Sequence, residues 1–169
     1  MTIEAGQPFP DGSLWESTVF GDSCPVAPAV VNVTEALRGK RVVIFGLPGA
    51  FTPTCSSKHV PGYLARHDEI KAKGVDEIWC ISVNDGYVMA AWGREQQALD
   101  KIRFLGDGSG ELAKRLGLER DQSASGMGTR MKRCSLLVED GIVRRVNVDA
   151  PGRFEVSDAD TMLRQLEGV

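Results

Sequence analysis

The hydrophobic pattern of this chain becomes regular after residue 40, where short apolar runs alternate with stretches of helical spacing. The apolar and β-branched runs predict strands at 40–47, 77–83, 101–105, 132–138 and 142–148. The helical spacing predicts helices at 85–96, after 110 as far as Leu116, and at 157–166, with Ser157 capping the last one. Alternating strands and helices indicate an α/β fold with parallel strands at the centre of the sheet.

The N-terminal third is less regular. Strands are predicted within 13–20 and 24–33, followed by a short helix that Thr34 caps and that ends before Gly39. Near the other end of the chain, the step Asp140-Gly141 between two apolar runs predicts a tight hairpin. Another helix is expected to begin near Cys55, and Pro61 should kink or interrupt it.

Composition limits the function classes. A chain of 169 residues with 42% apolar content predicts one domain, residues 1–169, with a single large core. The net charge of −3 with interspersed charges predicts no nucleic-acid binding. The chain has no apolar run near the roughly 20 residues that span a bilayer and no signal-peptide pattern. We therefore expect no membrane binding and a cytoplasmic protein, or an organellar one if a targeting segment has been removed.

Four cysteines are scattered along the chain without any C-x-x-C pair: Cys24, Cys55, Cys80 and Cys134. This spacing argues against a disulfide scaffold and against a zinc site, so reduced thiols with a redox role are expected. Glycines at 106, 108 and 110 lack the spacing of a dinucleotide loop and predict only a turn. We expect neither a cofactor nor a metal.

The run from Pro48 to Cys55 follows a predicted strand and brings a cysteine to the start of a helix. A thiolate there would meet free backbone N–H groups and the positive end of the helix dipole, both of which stabilise negative charge. The spacing P-x-x-x-T-x-x-C, here Pro48, Thr52 and Cys55, resembles the active-site signature of the peroxiredoxins. The longer segment 46–63, together with 81–85 and 139–143, is similar to their atypical type II or five-type subfamily.

This resemblance implies a thioredoxin-like fold, with a central mixed sheet flanked by helices and an N-terminal β extension. It also implies a thiol-dependent peroxidase in which Cys55 attacks the peroxide and Thr52 positions it, while Pro48 shields the site. By resemblance, Arg133 is the cation that stabilises the thiolate, and Arg130 is its nearest rival. The chain departs from the family in one respect: Arg133 precedes Cys134 where the family has an aromatic residue.

His59 lies four residues after Cys55, on the same helical face, so a hydrolase-like Cys–His pair has to be considered. No Asp or Asn with a defined role orients His59, and packing or tuning is the favoured interpretation. Phe51 and Trp92 belong either to the core or to a subunit contact, since the family often dimerises through this region.

A sulfenic acid on Cys55 has to be reduced by another thiol. Cys80 is the first candidate for a resolving cysteine, because its separation of 25 residues matches the plant-like type II branch. A disulfide needs Cα atoms within about 7 Å, however, and the expected strand position favours a buried thiol at Cys80. Cys24 and Cys134 remain open as alternatives.

The leading prediction is therefore a one-cysteine cycle in a homodimer that reduces hydrogen peroxide and small alkyl hydroperoxides. Its external reductant would be glutathione with glutaredoxin, or a thioredoxin. The alternative is a peroxide-sensing interaction protein whose partner surface changes when Cys55 is oxidised. Disulfide exchange is disfavoured because C-x-x-C is absent.

Overall fold

The apolar runs beyond residue 40 form the centre of a seven-stranded mixed sheet in a computed structural model that describes residues 1–168. The strands are β1 (Ser13–Glu16), β2 (Ala29–Asn32), β3 (Arg41–Gly46), β4 (Glu77–Ser82), β5 (Arg103–Gly106), β6 (Glu119–Asp121), β7 (Thr129–Met131), β8 (Cys134–Glu139) and β9 (Ile142–Val148). The helices are α1 (Val33–Leu37), α2 (Val60–Ala65), α3 (His67–Ala72), α4 (Gly86–Glu95), α5 (Glu111–Leu116) and α6 (Ala159–Glu167).

The strand order in the sheet is β2-β1-β5-β4-β3-β8-β9. Strands β3, β4 and β5 are parallel, whereas β8 and β9 run antiparallel and β1 joins the sheet as an antiparallel neighbour of β5. The predicted thioredoxin-like α/β fold with a mixed sheet and an N-terminal β extension is thereby confirmed. No helix within residues 1–168 is long and apolar enough to cross a bilayer.

Side-chain alternation on the central strands divides the core into two clusters, one on each face of the sheet. Phe45 belongs to the cluster that also holds Cys55 and Cys80. Ile44, one residue earlier, belongs to the other cluster, with Cys134. Two of the buried thiols therefore share one face of the sheet and the third lies on the opposite face.

The predicted hairpin between β8 and β9 is present. Asp140 and Gly141 both have positive φ, 45° and 78°, as the tight turn of a hairpin requires. Asp140 also accepts a hydrogen bond from the backbone N–H of Gly39 at 2.6 Å, which ties the turn to the segment before β3.

Two predicted helix caps are wrong. Asn32, not Thr34, caps α1 by accepting from the N–H of Glu35, because the helix starts at Val33 and Thr34 is already its second residue. The Thr34 hydroxyl donates to Asp11. Asp158, not Ser157, caps α6, which begins at Ala159. In both places the capping residue is the one with extended backbone directly before the first helical residue.

The helix at Cys55 is more irregular than predicted. Cys55–His59 forms a π-helical turn that continues directly into α2, so the helix is widened but not broken. Pro61 has no N–H and its ring would crowd the carbonyl four residues earlier in a regular α-helix, and the wider turn relieves that contact. The small sheet of β6 and β7 was not predicted, because neither three-residue strand carries an apolar pattern.

Candidate active site

The loop after β3 holds Cys55 completely buried. Ala50 donates its N–H to Asn84 Oδ1 at 2.9 Å, which ties this loop to the segment after β4. Phe51 adopts a left-handed φ of 63°, unusual for a bulky residue, and its side chain points outward with 51% exposure. Ser56 N–H then donates to Thr52 O at 3.0 Å, so the helical turn containing Cys55 begins at once.

Of the two candidate arginines, Arg133 is the one beside the thiol. Its Nη2 lies 3.1 Å from Cys55 Sγ. Arg130 instead donates to backbone carbonyls, to Met127 at 2.9 Å and to Pro48 and Val83 at 3.4 Å. Arg133 therefore provides the positive charge at the sulfur, and Arg130 supports the surrounding loops.

His59 is also completely buried and contacts the same guanidinium, with Nδ1 2.9 Å from Arg133 Nη1. Cys55 and His59 therefore face the same side of the helix, as their spacing predicted. Burial is the larger cause and the positive charge of Arg133 the second, and together they lower the pKa of His59 to about 3. The neutral imidazole contacts the arginine and makes no hydrogen bond to the sulfur.

Thr52 and Pro48 line the open side of the site. The hydroxyl of Thr52 donates to Gly49 O at 2.7 Å, which leaves the oxygen lone pairs available as acceptors. The carbonyl of Pro48 accepts from Arg130, so this proline is fixed at the edge of the site.

A cleft of about 920 Å³ opens over these residues. Its walls come from the Pro48–Thr54 loop, from the β6–β7 hairpin and from the segment 148–155 that follows β9. Its basic side chains are Lys58, Arg120, Lys132, Arg133 and Arg153, and its acidic ones are Asp149 and Glu155. The cleft is therefore positive although the chain carries a net charge of −3.

Within residues 1–168, no cysteine is among the residues that line this cleft. Cys80 and Cys134 are fully buried, and Cys24 is exposed in an N-terminal loop. Burial raises the pKa of Cys80, and the neighbouring Cys55 raises it further. Burial raises the pKa of Cys134 to about 12. Both buried thiols are thus held in the protonated, weakly nucleophilic form.

A buried support behind His59 was missed by the sequence reasoning. The carbonyl of Ser157 lies 3.2 Å from His59 Nε2 and accepts from the Tyr63 hydroxyl at 2.8 Å. Asp149 holds the same segment by accepting from the Ser157 hydroxyl at 2.5 Å and from backbone N–H groups of 155–157. Asp149 and Ser157 are more than 90 positions from Cys55, so no local pattern links them to the site, and Tyr63 on α2 joins it through the Ser157 carbonyl.

The chain matches one family of known proteins over nearly its whole length. The Redoxin family model matches residues 4–163. Peroxiredoxin-2B of Arabidopsis thaliana is 46% identical over 164 residues, which cover 97% of this chain and 98% of that protein. The mitochondrial peroxiredoxin-2F of the same plant is 47% identical, over 93% of this chain and 79% of its own length. Among solved structures, reduced Prx3 of Vibrio vulnificus in complex with hydrogen peroxide superposes with a TM-score of 0.90 and 44% identity, over 98% and 99% of the two chains.

Proposed function

Since this chain belongs to the peroxiredoxin family and is a thiol-dependent peroxidase, we propose that its Cys55 thiolate reduces hydrogen peroxide and small alkyl hydroperoxides. Sulfur attacks one peroxide oxygen, the O–O bond breaks, and the other oxygen leaves with a proton as water or an alcohol. Cys55 becomes a sulfenic acid. The observation that carries this proposal is the 3.1 Å contact between Arg133 Nη2 and Cys55 Sγ.

Each neighbour has a role in this step. Arg133 stabilises the thiolate and the negative charge that develops on the leaving oxygen. The hydroxyl of Thr52 accepts from the peroxide and holds the O–O bond in line with the sulfur. Pro48 presents no N–H of its own and shields the thiol from water.

We further propose that Cys55 works without a resolving cysteine. An external thiol attacks the sulfenic acid, releases water and leaves a mixed disulfide, and a second thiol then restores Cys55 and leaves as a disulfide. Cys80 and Cys134 are as buried as Cys55, but burial raises the pKa of both, and the hydrogen bond from Arg133 goes to the sulfur of Cys55, which supports this cycle. The positive cleft supports an anionic thiol such as glutathione, with glutaredoxin, as the reductant, and thioredoxin is the alternative.

Mass spectrometry tests the cycle directly. Wild type, Cys55→Ser and Cys80→Ser each receive one equivalent of hydrogen peroxide, with and without glutathione, and are then mapped by peptide. We expect a sulfenic acid or a glutathione adduct on Cys55 in wild type and in Cys80→Ser, and neither in Cys55→Ser. A Cys55–Cys80 disulfide would contradict the one-cysteine cycle, and peroxide consumption by Cys55→Ser would contradict the whole proposal.

We propose a homodimer as the assembly. Trp15 and Val30 are cross-strand partners on β1 and β2 and are 45% and 57% exposed, and exposed Tyr87 and Phe51 lie on or against α4. Such an apolar surface is suited to a subunit contact. Light scattering of wild type and Phe51→Ser tests the dimer, because the dimer should weaken in the variant.

We propose the cytoplasm as the compartment of this protein, and an organelle is the alternative. Cell fractionation distinguishes the two.

A further inference from the structure

The guanidinium of Arg133 has two partners, and only one of them is the sulfur. Nη2 lies 3.1 Å from Cys55 Sγ and Nη1 lies 2.9 Å from His59 Nδ1. Because a guanidinium is planar and rigid, a hydrogen bond at one nitrogen fixes the direction of the other. The contact with His59 therefore determines where Nη2 points.

The tautomer of His59 follows from its two neighbours. Ser157 O can only accept, so Nε2 carries the hydrogen and donates to it, at 3.2 Å. Nδ1 is then unprotonated and accepts from Arg133, which can only donate. Complete burial and the adjacent guanidinium keep the ring neutral, although Asp149 and Asp158 act in the opposite direction.

His59 accepts a hydrogen bond from Arg133 without adding a negative charge beside it, which a carboxylate could not do. An Asp or Glu in this position would also accept from the guanidinium, but its negative charge would offset part of the positive field at the thiolate. Within residues 1–168, no carboxylate oxygen forms a salt bridge with Arg133. We infer that His59 is a positioning residue whose neutral imidazole aims Arg133 at Cys55 and leaves its charge uncompensated.

The competing explanation is packing. The His59 ring contacts Phe45, Tyr63 and Phe154, with centroid distances of 4.9, 5.7 and 5.0 Å, so it also fills space in the core. Three substitutions of nearly equal shape separate the two roles. His59→Asn keeps a neutral acceptor close to the position of Nδ1, His59→Asp places a charged acceptor there, and His59→Leu has no acceptor.

The readouts are the rate of Cys55 alkylation by iodoacetamide as a function of pH and the rate of its oxidation by hydrogen peroxide. We expect His59→Asn to stay within a few-fold of wild type, and His59→Leu and His59→Asp to be slower by about 10- to 100-fold. The alkylation profiles of the two slow variants should move to higher pH. Thermal unfolding of all three variants provides the matched stability control.

Equal losses in the three variants would assign His59 to packing and overturn the inference. Equal rates in His59→Asn and His59→Asp would overturn the part that concerns charge. A measurement without any substitution decides the matter if a variant does not fold: the ¹⁵N spectrum of His59 should show a protonated Nε2 and an unprotonated Nδ1 at neutral pH. An imidazolium, or a proton on Nδ1, would be inconsistent with the inference.

The inference rests on the proposed role of Arg133, and the two can fail separately. If Arg133→Met leaves alkylation unchanged, the role of Arg133 is wrong. If Arg133→Met slows alkylation but the three His59 variants behave alike, only the positioning role of His59 is wrong.

Discussion

Replacing Arg133 with methionine removes the charge beside the thiol while keeping a side chain of similar length. The lost interaction is a hydrogen bond from a cation to a buried sulfur at 3.1 Å. Hydrogen bonds to charged groups contribute about 1.5–3 kcal/mol. Each 1.36 kcal/mol corresponds to a factor of ten in rate, so Arg133→Met should slow the reactions of the Cys55 thiolate by about 10- to 150-fold.

Two reactions of Cys55 separate the two effects of Arg133 on the rate, stabilisation of the thiolate and stabilisation of the leaving oxygen. Alkylation by iodoacetamide needs only the thiolate, whereas oxidation by hydrogen peroxide also develops charge on the leaving oxygen. We therefore expect oxidation to slow at least as much as alkylation, with both rates measured by quenched mass spectrometry. Lys132→Met is the matched control, because it removes a neighbouring cation of the cleft that has no contact with the sulfur. Equal losses of rate in Arg133→Met and Lys132→Met would refute the argument, because the general positive potential of the cleft, and not the contact with the sulfur, would then explain the effect.

Arg133→Met should also destabilise the fold, because it leaves His59 Nδ1 buried without a donor. An unsatisfied buried group costs about 1–3 kcal/mol. For a chain of this size, each kcal/mol lowers the Tm by roughly 2–4 °C. The kinetics are therefore measured well below the transition, where circular dichroism shows both variants folded.

Other predictions follow from single contacts. Thr52→Val should slow peroxide oxidation by about tenfold or more while leaving alkylation near wild type, and Thr52→Ser should restore oxidation; stopped-flow mixing measures both. Cys80→Ser should not change steady-state turnover with glutathione, and a large loss would indicate a resolving role. Burial raises the pKa of Asp149, but hydrogen bonds from Ser157 and from the backbone of 155–157 outweigh it and lower the value. The stability that Asp149 contributes is thus present above its unfolded pKa of about 3.9 and lost as pH falls through the lowered folded value. Urea unfolding should show Asp149→Asn less stable by about 1–3 kcal/mol at neutral pH, with a smaller difference in acid.

The central strands could be predicted because their environment leaves a continuous signal. Strands β3, β4 and β8 are buried on both faces, so the interior of each is a mostly apolar run. The turn at Asp140 and Gly141 could be predicted because few residue pairs accept positive φ at both positions.

The caps could not be predicted because several neighbouring side chains were chemically able to cap. Asn32 and Thr34 both suit a helix start, as do Ser157 and Asp158. The choice depends on where the backbone turns from extended to helical, at Val33 and at Ala159, and the flanking residues are held by distant partners, Asp11 for Thr34 and Asp149 for Ser157. Local propensity contains no information about those partners.

The same distinction applies to the active site. The reactive half of the site, from Pro48 to Cys55, is eight residues long, and its chemistry follows from the start of a helix. Arg133 lies 78 residues from Cys55 and could be named only through the family resemblance. The Ser157 carbonyl that fixes the His59 tautomer is 98 residues from that histidine, and a backbone atom leaves no mark on the sequence. Reactivity at Cys55 is therefore partly a local property, whereas the direction and the net charge of its cation are properties of the tertiary structure.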